Sequence, residues 1–140
     1  MDIKKGIAVI VFDENKGKKF FLLLHRVLGW KGWEFIKDKS KFNETYAQAI
    51  LRAVKKETGL VGEIVCKTEN ELSWGKGDII YYYTIFVVKV NMATKIKLQD
   101  DVKEHDAYKW VEAHNVDGIL THDNSRKIFR AALTTLKRQK

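Results

Sequence analysis

The chain has no proline, a single cysteine and no long hydrophobic run. A lone Cys66 excludes an internal disulfide framework and a multi-cysteine zinc site. It suits a reducing compartment, and a cytoplasmic location is expected. The longest apolar stretch, residues 79–88, contains three tyrosines and a threonine and is too short to span a bilayer, so no membrane association is expected. The first apolar run, residues 7–12, leads into Asp13-Glu14 where a secretory leader would need a small-residue cleavage site. Without proline, every turn must rely on Gly, Asn or Asp. Repeats, low-complexity tracts and Gly/Ser-rich linkers are also missing, and one domain over residues 1–140 is expected.

What is present is a folding composition, 45% apolar and 31% charged over 140 residues. The net charge is +8, and residues 124–140 hold six Lys or Arg and no acid, which leaves the preceding 123 residues at +2. Such a balance favours polyanionic partners, nucleotides and RNA first. On a terminal helix over 123–138, Arg126, Arg130 and Lys137 fall opposite the apolar stripe of Ile128, Phe129, Ala132, Leu133 and Leu136. They are candidate RNA contacts, or simply a solvated basic face.

Residues 3–12 read as a buried strand, the Asp13-to-Gly17 segment as a turn, and residues 19–26 as the second arm of a hairpin. A loop carrying Trp30 and Trp33 follows. Asn43 is placed as the N-cap of a helix over 44–58, with Gly59 just past its end. Tyr46, Ala47, Ile50, Ala53 and Val54 give that helix an apolar stripe. Strands over 63–74 and 79–90, a short strand over 107–111 and the terminal helix complete an α+β pattern.

The central helix carries the most specific signal. Glu44, seven residues, and then Arg52, Val54, Glu57, Gly59 and Leu60 resemble the box of the Nudix hydrolases at the family's spacing. Three positions depart from that pattern: Asp38 stands for its glycine, Ala53 for the glutamate after Arg52, and Lys56 for the first of a glutamate pair. The flanks agree with the box. Residues 33–38, beginning at Trp33, are similar to the segment that precedes it in the diadenosine tetraphosphate hydrolase branch, and Glu104-His105 through Trp110 is similar to a later segment of that branch.

The resemblance implies a Nudix-type α/β/α sandwich with a mixed β-sheet. It also implies an activity, hydrolysis of a nucleoside diphosphate linked to a further moiety, with Mg²⁺ or Mn²⁺ as cofactor. Glutamates spaced three and four residues apart on a helix share a face and can hold hard divalent ions between them. Here the three corresponding positions are Ala53, Lys56 and Glu57, so a trio carrying −3 becomes a set summing to 0. Metal binding is therefore expected to be weak, with Glu57 and Glu104 as the remaining ligands. Alanine at position 53 can neither coordinate a metal nor accept a proton.

By the same resemblance, Glu57, Arg52 and Glu44 are the catalytic-box residues, Arg52 and Glu44 acting as a brace. Lys37, Lys56, Tyr82, His25 and Trp33 are the substrate-side candidates. Lys56 stays open to two readings, a phosphate ligand in place of a metal or a helix-surface lysine paired with a neighbouring acid. Aspartate at position 38 is expected to keep a left-handed loop shape that glycine would allow. The resemblance and its departures imply two alternatives: a protein that binds a nucleoside polyphosphate such as diadenosine tetraphosphate, with hydrolysis weak or absent, or a catalytically inactive Nudix domain serving as an RNA- or protein-binding module.

Overall fold

The computed structural model describes residues 2–41, 43–99 and 101–139; Lys140, counted in the basic terminal segment, lies outside them. The expected first strand is β1 (Asp2–Asn15), the centre of a seven-stranded mixed sheet. Ile7, Ala8, Val9, Ile10 and Val11 are all buried, as an unbroken aliphatic run is when both faces of a strand are covered. β1 turns into β2 (Lys18–Arg26) through Lys16 and Gly17, both at positive φ (53° and 78°), a turn whose twist matches that of the flanking strands.

On its other edge β1 runs parallel to β6 (Ile79–Lys89), which pairs antiparallel with the outer strand β5 (Glu63–Lys76). β7 (His105–Glu112) pairs antiparallel with β2. The tryptophan-bearing segment expected as loop contains two short strands, β3 (Gly32–Glu34) and β4 (Ile36–Lys39). Each forms because an open edge is offered to it, β2 for β3 and the early part of β1 for β4. Both are too short for a period-two pattern to reveal.

The box helix is α1 (Tyr46–Thr58). Its cap is Thr45, not Asn43. The Gln48 N–H donates to the Thr45 hydroxyl at 3.1 Å, and the Thr45 N–H donates to the Gln48 side chain at 2.9 Å. This reciprocal pair outcompetes a lone Asn cap. Asn43 instead adopts φ 64°, which leaves Glu44 in the turn ahead of the helix. Gly59 ends the helix at φ 76°, as expected.

The buried side of α1 is Ala49, Ile50, Ala53, Val54, Glu57 and Thr58. Ile50 and Val54 pack inward as expected, but Ala47 is exposed and Tyr46 is 43% exposed. Near the first turn the sheet presents Thr84 and Tyr82 rather than aliphatic side chains, so Tyr46 only edges onto Phe86, ring centroids 5.4 Å apart.

α2 (Ala113–Ile119), too short to show a helical period, and α3 (Asp123–Arg138) cover the other face. Ile128, Phe129 and Ala132 of α3 pack there with Ile10, Phe21 and Leu23. On the α1 side Ile50, Ala53 and Val54 pack with Ile7, Val9 and Leu24. Each fully buried Ile, Leu, Val or Phe contributes about 1.5–3 kcal/mol, so the two layers are both stabilising. The result is the expected α+β sandwich with a mixed sheet. Among the described residues no helix is long and apolar enough to cross a membrane.

Candidate functional site

The exposed end of the box is held by one guanidinium. Arg52 donates to Glu44 through Nε (2.6 Å) and Nη2 (2.9 Å), and to Asp38 through Nη1 (2.9 Å). The bidentate bond holds the Glu44 carboxyl well below its ordinary range, at about 2, and the two carboxylates raise the Arg52 pKa. The expected bracing role of Arg52 and Glu44 is thus matched by geometry, and Asp38 joins it. Asp38 does not adopt a left-handed conformation. It sits in β4 opposite Ile7, and among the described residues the positive-φ positions other than glycine are Lys16 and Asn43. Strand pairing overrides the loop shape that glycine at this position would serve. The close approach is absorbed across the sheet at Gly6, where a Cβ would stand 2.5 Å from the Asp38 carbonyl oxygen and 2.6 Å from the Tyr83 ring.

The buried end of the box is a chain of alternating charges. Glu57, 6% exposed, lies 3.2 Å from His105 Nδ1 through Oε2. The opposite ring nitrogen, Nε2, is 2.8 Å from Glu34 Oε2, which also accepts from Arg26 Nη1 at 3.2 Å. Arg26 in turn donates to Glu104 (3.1 Å) and to the Leu28 carbonyl (2.7 Å). An ionised carboxylate only accepts, so carboxylate oxygens 2.8 and 3.2 Å from the two ring nitrogens favour the doubly protonated, cationic imidazole. Burial works against that charge, but the bonds to Glu34 and Glu57 outweigh it and raise the His105 pKa to about 9. Burial likewise opposes ionisation of Glu34, yet His105, Lys37 and Arg26 together hold its pKa below the usual range.

A divalent ion would find a reduced donor set here. The donor atoms of Glu57, Glu104 and His105 lie within 4.8 Å of one another. His105 has no lone pair to offer while both nitrogens donate. Glu57 Oε1 is buried without a hydrogen-bond partner, an acceptor that suits a cation. Glu57 and Glu104 therefore suit one hard ion, which would take its other ligands from water or phosphate oxygens. They do not fit a cluster held by three box carboxylates. Ala53 is fully buried among aliphatic side chains, and Lys56, in the last turn of α1, is exposed beside Lys55, Lys97 and Asp101.

Next to this chain of charges opens a cleft of about 350 Å³. Lys37 and Lys39 from β4, with Arg26 from β2, supply its cations. Trp30, Trp74 and Tyr83 supply its aromatic walls. Lys37 Nζ lies 5.7 Å from the Trp74 ring centroid and the Arg26 guanidinium 5.8 Å from that of Trp30. Trp74 is fixed by stacking on Tyr81, centroids 5.0 Å apart and planes at 14°. Burial and the nearby Arg26 lower the Lys37 pKa, while Glu34 supports its charge. Among the described residues neither Lys37 nor Lys39 is within ion-pairing distance of a carboxylate.

Of the substrate-side candidates read from sequence, Lys37 lines the cleft and the others do not. Tyr82 alternates to the opposite face from Tyr81 and Tyr83 and meets Tyr46, Lys5 and Lys67 in a separate hollow. His25 and Trp33 do come together, ring centroids 4.9 Å apart, but at a surface where His25 is 2.7 Å from Asp106 and Lys109 covers Trp33. Sequence reasoning missed Arg26, Trp30, Glu34, Lys39, Trp74 and Tyr83 as site residues. Period-two alternation about Tyr82 already groups Tyr81 with Tyr83 on one face, a signal for the last of these.

The NUDIX domain model matches residues 3–133. The chain belongs to the Nudix family. Among solved structures, the Ap4A hydrolase of C. elegans in a binary complex superposes with a TM-score of 0.80 at 21% identity, covering 96% of this chain and 98% of that one. The E. coli ORF135 protein gives 0.75 at 18% identity, covering 99% and 94%. The NUDIX domain of Shewanella oneidensis NrtR, complexed with ADP ribose, gives 0.75 at 13% identity, covering 97% and 90%. At these identities the likeness concerns the Nudix fold. Comparison with curated protein sequences gives no match.

Proposed function

We propose that this Nudix protein binds a nucleoside polyphosphate in the cleft beside the box and hydrolyses it weakly or not at all. The observation that carries this is one cleft of about 350 Å³ in which Lys37 and Lys39 face the aromatic walls Trp30, Trp74 and Tyr83, with the carboxylates Glu34, Asp38 and Glu104 also in its lining. Rings of this kind hold a base, and lysines hold phosphate oxygens as point charges. Structural relatives solved with Ap4A-hydrolase and ADP-ribose assignments support the ligand class. When bound, Mg²⁺ or Mn²⁺ would supply electrostatic activation of the diphosphate, with Glu57 and Glu104 as its protein ligands. Weak turnover follows from Ala53 and Lys56, which withdraw two carboxylates from the box. The lone Cys66, whose thiol pKa is raised by burial, fits a cytoplasmic setting for such a protein.

Calorimetry with a panel of adenosine polyphosphates, dinucleotides and ADP-ribose, in excess Mg²⁺ and in chelator, separates binding from chemistry. Chromatography of the same mixtures reads the products. Expected is binding that survives chelation and is weakened at least tenfold by Lys37→Ala, with little product. Rapid metal-dependent cleavage would restore a working hydrolase, and no binding under either condition would remove the nucleotide from the account.

A further inference from the structure

α1 covers only part of its side of the sheet. It lies over Ile7, Val9 and Val11 of β1 and over Phe86 and Val88 of β6, leaving the opening residues of both strands bare. The register places those bare residues in rows. Tyr82 pairs with Lys5 on one side and with Ser73 on the other, and the next row outward joins Ile80 to Ile3 and to Gly75. Tyr46 closes one side of the resulting hollow, its hydroxyl 3.5 Å from Thr84 Oγ1, and Lys67 stands on the outer strand. Three large apolar side chains that remain exposed, Ile3 (59%), Tyr46 (43%) and Tyr82 (39%), therefore meet in one hollow of about 420 Å³.

The composition of this surface selects its partner. Two tyrosine rings, two lysines and one carboxylate, Glu71, line it, with a single aliphatic side chain. A protein interface of ordinary size needs a far larger apolar core. Aromatic rings on an open sheet, flanked by lysines, instead match the way unpaired bases are stacked while the phosphate chain is held by charge. The net charge of +8 acts in the same direction. The basic terminal helix is less available than its sequence suggests. Arg126 is turned onto the carbonyls of Asp117 and Leu120 and onto Asp123, Arg130 pairs with Asp117, and Arg138 pairs with Glu69.

We propose that the bare sheet face around Tyr82 and Tyr46, with Lys5 and Lys67, binds single-stranded RNA at a site separate from the nucleotide cleft. The bases stack on the rings, and the lysines engage the backbone without sequence readout.

Fluorescence anisotropy with a labelled oligoadenylate of about a dozen nucleotides tests this, using the full chain over a range of KCl concentrations. Tyr82→Ala is expected to weaken binding about tenfold or more, and Tyr82→Phe to retain it, because stacking needs the ring and not the hydroxyl. Lys5→Gln and Lys67→Gln should each lower the slope of log K against log salt by about 0.7. Saturating ADP should leave the RNA bound, and a duplex of the same sequence should bind more weakly. No RNA binding at low salt, an unchanged affinity in a folded Tyr82→Ala protein, displacement by ADP, or a larger loss from Lys127→Gln with Lys137→Gln would each overturn the proposal. The calorimetric test of the cleft is independent of all of these.

Discussion

The two ends of the box helix handle charge in opposite ways. At the amino-terminal end Arg52 gathers Glu44 and Asp38 in a partly solvated clamp, side chains 12–27% exposed. At the carboxy-terminal end Glu57, His105 and Glu34 form an ion chain in which every member is at most 8% exposed. Water can replace a lost partner in the clamp, whereas a lost partner in the buried chain strands a charge. The exposed end is therefore tolerant, and the buried end is committed to one arrangement. The same contrast explains why Asp38 is compatible with the fold although glycine stands there in the family pattern. Its carboxylate lies where a guanidinium and solvent can both satisfy it.

The contrast is broken most directly by Glu34→Ala, which leaves His105 and Arg26 without their shared acceptor. A loss of about 3–5 kcal/mol is expected in urea unfolding. Arg52→Ala should cost less than about half as much. Equal losses would mean that the two ends are not energetically distinct.

Rebuilding the carboxylates sharpens the comparison from the other side. Ala53→Glu with Lys56→Glu shifts the box by −3, from 0 to −3 with Glu57. The double variant is expected to raise magnesium-dependent cleavage of a nucleoside polyphosphate by about 10²-fold. Lys56 is exposed and its replacement is tolerated, but Ala53 is fully buried, so the stability loss should come from position 53 alone. A folded double variant that binds metal and cleaves nothing in the panel would place the defect in the cleft.

The pH dependence of stability distinguishes the ends without altering either. His105 has a pKa of about 9 in the fold against an ordinary 6.5. The raised value means that its contribution is fully present below about pH 6.5 and is lost as pH rises through about 9. Denaturant midpoints should fall across that window in the parent and stay flatter in His105→Gln. Glu44, held at about 2, contributes in the opposite sense: its share is present above the ordinary carboxylate pKa and disappears only as pH falls towards 2.

The smallest expected effect concerns the cap that sets where the exposed end begins. Thr45→Ala should cost about 1 kcal/mol, and Asn43→Ala should not show the signature of a lost helix cap. Thermal unfolding of the two variants, with helix content followed by circular dichroism, reads the difference.

The order of strands, the amphipathic helices and the spacing of Glu44, Arg52, Glu57 and Gly59 are all local in sequence, and each was legible there. Period-two and period-3.6 patterns record which side of an element is buried, and the resemblance to the family box marked Glu44 and Arg52 as a brace. The capping box and the short strands β3 and β4 were harder to read, because competing caps lie two residues apart and an edge strand takes its register from its neighbour. The site depends on tertiary structure in a stronger sense. Glu34, Glu57 and His105 come from β3, α1 and β7, at sequence separations of 23 and 48. Their pKa values depend on burial and on partners that only folding brings within 3.2 Å. Sequence determined which residue types were available, including the withdrawal of two box carboxylates. Tertiary structure decided that Tyr82 faces away from the cleft, that Lys56 lies at the surface, and that a histidine became a buried cation, because side-chain direction and desolvation arise only when strands and helices from distant segments close on one another.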